Sequence, residues 1–223
     1  MSMQLKYSKY IIGGLVGIVL FVSLSQWSQQ HTELLKELTS QAGAAGVIFY
    51  VLILATSIVF APLGTGFLLP VAANSYGPVL AALYSILGWT IGSVGAFWIA
   101  RHFGFRKLKE TPFIQRIHVY ESSVPRRHFY GLIVLFRMAL PVDAVSYALG
   151  FASTISYPAF LVTTVLGITP LAFVFMFAAT SSIAIQFTVS ILATLLFLAG
   201  TYFVYREYIQ VASKNDTNSK SNS

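Results

Sequence analysis

The sequence predicts an all-α polytopic membrane protein with four spanning helices and two oppositely oriented re-entrant helical hairpins, arranged as an inverted repeat. Three observations lead there. Of 223 residues, 56% are hydrophobic and only 9% charged, whereas a soluble domain carries roughly 25% charged residues. No Asp, Glu, Lys, Arg or His occurs from Gly46 to Ala100, and from Phe129 to Tyr205 the only ones are Arg137 and Asp143. Stretches this apolar belong in lipid. Two of the apolar regions are also interrupted near the middle by proline and glycine, which stop a helix at that depth.

Each element follows from length. A helix rises about 1.5 Å per residue and the hydrocarbon core is about 30 Å thick, so the segments 9 to 27, 78 to 100, 158 to 180 and 183 to 205 are each long enough to span. The first could pass for a signal peptide but has no small-residue cleavage site and reads as a retained helix or signal anchor. Residues 31 to 40 read as a short interfacial helix. The region 46 to 77 breaks at Pro62-Leu63-Gly64-Thr65-Gly66, with Pro70 beyond, and the region 129 to 157 breaks at Pro141, with Gly150 closing the following piece. Each leaves two arms of about 10 to 17 residues, short for two spans and long for one. A re-entrant hairpin satisfies both lengths. Unpaired amides cost several kcal/mol in hydrocarbon, so two such breaks imply a polar cavity. Between the halves, 105 to 121 reads as a basic interfacial helix interrupted at Pro112, and the tail after Val211 is polar and expected to be disordered. The domain organisation is therefore 1–45, an N-terminal membrane helix and interfacial helix; 46–182, a core with both hairpins; 183–205, a C-terminal membrane helix; and 206–223, the tail.

The net charge of +7 would suit nucleic acid, but its placement argues for topology instead. Lys6 and Lys9 precede the first span, seven Lys and Arg lie between Arg101 and Arg127, and Arg206, Lys214 and Lys220 follow the last span; residues 28 to 45 hold only Lys36. All three basic regions share the cytoplasmic side if each hairpin returns to its own face. A hairpin, a spanning helix and then the same unit inverted is a plan many secondary transporters use. A prokaryotic plasma membrane with both termini cytoplasmic is the expected location.

Arg137 lies about 12 Å into its apolar run at helical rise, where a charge is functional by default. Its planar fork suits phosphate or carboxylate. Asp143, across Pro141, could hold Arg137 in place or exchange protons. The bland readings are a structural ion pair or a snorkelling arginine. Pro62, Gly64, Gly66 and Asn74 offer backbone and amide groups to a headgroup or ion path, or else merely form a tight turn. Gly88, Gly92 and Ala96 read as a small-residue row for close helix packing. Trp27, Trp89 and Trp98 read as interfacial anchors. The histidines lack metal-ligand spacing, and zero cysteines exclude disulfides and thiolate chemistry. No phosphate-binding loop or nucleophile elbow is present, so the chain is expected to be no enzyme and to hold no cofactor or metal.

The second interrupted region, Phe136-Arg137-Met138-Ala139-Leu140-Pro141-Val142-Asp143-Ala144-Val145-Ser146-Tyr147-Ala148-Leu149-Gly150, with Ile155 to Phe160 and Thr164 to Pro170, resembles the DedA superfamily, also called the SNARE-associated Golgi or VTT-domain family. Phe97-Trp98-Ile99-Ala100-Arg101 is similar to that family's aromatic-xxx-basic motif, and Tyr76-Gly77 to the end of its first hairpin. The likeness covers residues 55 to 180. It implies two oppositely oriented re-entrant hairpins and movement of lipid between leaflets as a scramblase or flippase; bacterial relatives are linked to undecaprenyl phosphate recycling, membrane potential and drug tolerance. By the same resemblance Arg137 corresponds to the family's intramembrane arginine and Pro141 to its hairpin proline, and Tyr147 and Arg101 join the candidate site. The stretch Pro62 to Pro70 lacks the acidic residue usual in the bacterial branch, which leaves Asp143 as the sole intramembrane acid and sets the sequence nearer the SNARE-associated branch.

The expected function is transport of an anionic lipid, such as a phospholipid or polyprenyl phosphate. A proton- or ion-coupled small-solute transporter centred on Asp143 is the first alternative, and a scaffold whose basic loop docks lipid or protein is the second. Expected partners are membrane lipids and not nucleic acid, and a homo-oligomer is compatible with the pattern.

Overall fold

The computed structural model describes residues 2–60, 66, 68–103 and 125–221. Among them are eight helices and no strand: α1 (Ser2–Gln30), α2 (Thr32–Val59), α3 (Leu68–Tyr76), α4 (Pro78–Phe103), α5 (Arg126–Ala139), α6 (Val142–Ala152), α7 (Tyr157–Ala179) and α8 (Ile183–Ser221). Five are long and apolar enough to cross a membrane: α1 from Ile12, α2, α4, α7, and α8 as far as Tyr202. The all-helical membrane architecture is thus present with one more candidate span than the four counted by apolar run length.

The additional candidate is α2. It consists of two helical pieces that meet at a kink, where Gly43 takes the non-helical φ 53 and ψ −135; the kink falls between residues 31 to 40 and the region from 46, which the sequence reads as separate elements. That left-handed backbone is open to glycine and strained for other residues. Glycine is needed again at Gly77, whose φ of 80 turns the chain from α3 into α4, with Pro78 as the first residue of the new helix. Proline opens the later helices too: Pro125 precedes α5, Pro141 precedes α6, and Pro158 sits in the first turn of α7. There its fixed φ suits the helix and its missing N–H has no partner to lose. α8 continues through the polar tail as far as Ser221, past the boundary at 205 and into the segment that composition alone reads as disordered. The connection 105 to 121 lies outside the described residues.

Two three-helix units interlock. In the first, α2 and α3 pack on α4; in the second, α5 packs on α7 and touches α6. The short arm of each unit also packs on the long helix of the other: α6 lies against α4, and α3 against α7. α1 and α8 pair along one side, where Gly14 lets Thr194 approach to within 2.7 Å of a would-be Cβ. Two apolar clusters form the core. One gathers Leu54, Leu69, Ala73, Ala81, Ala172 and Met176, and the other Phe97, Ile133, Leu149, Ile155 and Phe160.

The crossings are close because the small residues are there. A Cβ on Gly92 would sit 2.6 Å from the carbonyl oxygen of Ala55, and one on Gly150 would sit 2.6 Å from that of Phe97. In lipid, where apolar burial drives little association, such backbone contact is the main source of packing energy.

A buried arginine at the second helix break

Arg137 occupies the last turn of α5, before Leu140 turns the chain into extended backbone and Pro141 starts α6. A cation in the last turn of a helix is favoured by the partial negative charge of the unpaired carbonyls there. Asp143, in the first turn of α6, has the complementary benefit of a helix N-terminus. Each charge therefore has a local electrostatic reason for its position at the break.

The arginine is only 1% exposed. Its Nη1 donates to the Ser146 hydroxyl at 3.4 Å, a long bond, and that hydroxyl itself donates to the Val142 carbonyl at 2.6 Å. The guanidinium carbon lies 4.7 Å from the centre of the Phe160 ring, within cation–π range. Gly167 makes room for it, since a Cβ there would come within 2.7 Å of the Arg137 Cβ. Nε and Nη2 are buried without hydrogen-bond partners. Such a group costs the full desolvation of an unpaired donor, and a charged one costs more.

Asp143 does not relieve that cost. Among the described residues the only ion pair within 4.0 Å is Lys36–Glu33, so the two charges flanking Pro141 face the break without joining. Asp143 is partly exposed and Pro141 is exposed. Tyr147 does link the units, because its hydroxyl donates to the Val59 carbonyl at the C-terminus of α2, a group with no partner inside its own helix.

The remaining candidates are placed elsewhere. Asn74 donates to the Ser28 hydroxyl and to the Pro70 carbonyl, both at 2.9 Å, within a seam of buried amides and hydroxyls that joins α3 to α1. Arg101 donates to the carbonyls of Ser153 and Ile155 at 2.8 and 2.9 Å, and its guanidinium lies 4.2 Å from the Phe97 ring centre. It thereby ties the end of α6 to α4. Gly66 is exposed, with open space where a Cβ would go. Pro62 and Gly64 lie outside the described residues. The arrangement thus gathers Arg137, Ser146, Phe160 and Gly167. The last three were legible only as parts of a motif, and the contact that gives each its role spans from 9 to 30 positions along the chain.

A deep cation with two unpartnered donors, beside a helix break and surrounded by apolar helices, can hold an anionic oxygen. Among proteins already known, no curated protein and no solved structure matches the chain. The family model for the VTT domain matches residues 47–181, more than half the chain, and those limits enclose both helix breaks together with α3, α4, α6 and α7. The chain therefore belongs to the VTT-domain family, the DedA/SNARE-associated family of membrane proteins.

Proposed function

We propose that this protein moves an anionic lipid between membrane leaflets, with Arg137 receiving the headgroup and the lipid tails remaining in the bilayer. The observation that carries the reading is the buried guanidinium with Nε and Nη2 unpartnered. A phosphate oxygen would satisfy both with charge-assisted bonds. The work is binding and release with no bond made or broken, so the reading needs no catalytic residue and no cofactor. Under it, the paired helices around each break are re-entrant hairpins opening to opposite faces. That topology puts the basic connection and both termini in the cytoplasm, the prokaryotic plasma membrane being the natural address. The packing of each short arm on the other unit's long helix supports this inverted plan.

Leaflet exchange of a fluorescent phospholipid and of a polyprenyl phosphate in liposomes tests it. Wild-type protein should accelerate exchange of at least one of them, and Arg137→Ala should fall to the protein-free rate while still inserting as a folded protein. Undiminished exchange by a folded Arg137→Ala variant would remove the arginine from the mechanism. Movement of a water-soluble solute without lipid movement would replace the substrate.

A further inference from the structure

The bend at Gly43 leaves an open cavity of about 580 Å³ in the elbow of α2, walled by Lys36, Ser40, Gly43, Ile48, Tyr76 and Tyr84. It belongs to the first unit and shares no residue with the arginine site. Its position along the chain sets its depth. Residues 32 to 42 mix Glu33, Lys36, Glu37 and Gln41 with leucines, whereas Val47 to Val59 carry no charge at all, so the elbow is where α2 passes from water-facing to lipid-facing composition. Two tyrosines at this level fit the aromatic band of a membrane interface.

The wall carries one charge, Lys36, and an aromatic face, with Glu33 outside the wall as the partner of Lys36. The Lys36 ammonium lies 3.4 Å from a Glu33 carboxylate oxygen, with side chains 57% and 93% exposed. A pair so open to water contributes little and exchanges partners readily. Tyr76 and Tyr84 meet edge to face with ring centres 5.5 Å apart, leaving ring surface for a cation. Below them Val47 and Ile48 line the same wall, Ile48 being 59% exposed.

We propose that this elbow is a binding site for one phospholipid with an amine-bearing, zwitterionic headgroup. Lys36 takes the phosphate, Glu33 and the tyrosine rings take the ammonium, and the acyl chains run along Val47 and Ile48. A headgroup without an ammonium satisfies Lys36 but gives the Tyr76 and Tyr84 rings no cation, which sets the preference. The inference requires only that the chain lies in a bilayer and does not depend on lipid transport.

The chain has no cysteine, so Ile48→Cys labelled with a small fluorophore reports on the elbow, and Leu192→Cys on the exposed side of α8 is the control. Full-length protein is placed in nanodiscs with a constant minority of brominated lipid, bearing either a phosphoethanolamine or a phosphoglycerol headgroup. Quenching at position 48, normalised to 192, should be about threefold greater for phosphoethanolamine. Lys36→Gln and Tyr84→Leu, each in the Ile48→Cys background, should bring it to the control level. Equal quenching by the two lipids, stronger quenching by phosphoglycerol, or a preference that survives both substitutions would overturn the proposal. Loss of quenching when water-soluble glycerophosphoethanolamine is added at millimolar concentration would assign the site to a free headgroup rather than a lipid, and overturn it equally.

Discussion

Where α4 crosses α2, Gly88 meets Leu54 and the carbonyl of Val51; where α7 crosses α5, Gly167 meets Arg137 and the carbonyl of Val134. In both crossings the side chain and the carbonyl come from residues three apart on the partner helix. The glycine is in both cases the eleventh residue of its own helix. Leu54 and Arg137 therefore hold equivalent places in the two units, and both are buried, at 0% and 1% exposed. One place is filled by a side chain that wants nothing from its surroundings, and the other by a cation with two donors unmet. Since the same geometry accommodates leucine, packing does not call for an arginine. The difference points to a role outside stability, because a buried unpaired charge costs stability wherever it sits.

Three substitutions break or sharpen that contrast. The largest effect is expected from Arg137→Leu, which makes the second crossing chemically like the first. Lipid exchange should drop to the protein-free rate while thermal stability in detergent holds or rises, by about 1 kcal/mol or more. A large loss of stability would make the arginine structural instead. The reverse change, Leu54→Arg, puts an unpartnered charge where no break or helix end accommodates it. It should destabilise the fold by about 3 kcal/mol, seen as a lower melting temperature and a smaller monodisperse fraction on size exclusion. A variant as stable as wild type would show that both crossings tolerate charge, and the contrast would lose its force. The smallest effect is expected from Tyr147→Phe, which removes the hydroxyl tying α6 to the end of α2 at a cost of about 1 kcal/mol. Hydrogen exchange should quicken in the last turn of α2 and in α6 while the amides of α4 stay protected. Unchanged exchange at both ends would mean that the Tyr147 hydroxyl adds nothing to the contact between the units.

Arg101 is a useful case for what a motif does and does not tell. Its place after Phe97 was legible as an aromatic-xxx-basic pattern, and the residue joined the candidate site on that basis. In the structure both of its terminal nitrogens are engaged by backbone carbonyls beyond α6, so it holds the two units in register. Asn74 is similar, with its amide directed at Ser28 and Pro70. A residue type announces which bonds it can make, but the partner comes from distant chain, and nothing local to Arg101 or Asn74 names it.

What the sequence determined by itself is what depends on local chemistry. The absence of charge between Gly46 and Ala100 commits that stretch to lipid, the prolines at 78, 141 and 158 mark where helices begin, and the depth of Arg137 in its run marks it as the residue to explain. Apolar run length and helix-breaking residues act over a few turns, so they are readable in order along the chain. What only the tertiary structure decided is how those pieces meet. Gly43 sets the angle between the two pieces of α2 through its non-helical backbone, because a glycine between two helical stretches is compatible with either a bend or a stop. Arg137 makes no ion pair with Asp143 and meets Ser146, Phe160 and Gly167 instead. The reason is that Pro141 and extended backbone at Leu140 separate the two helix ends, and the orientation of α6 follows from its packing on α4. That packing depends on a glycine at 150 meeting a carbonyl at 97, a contact that no local pattern encodes.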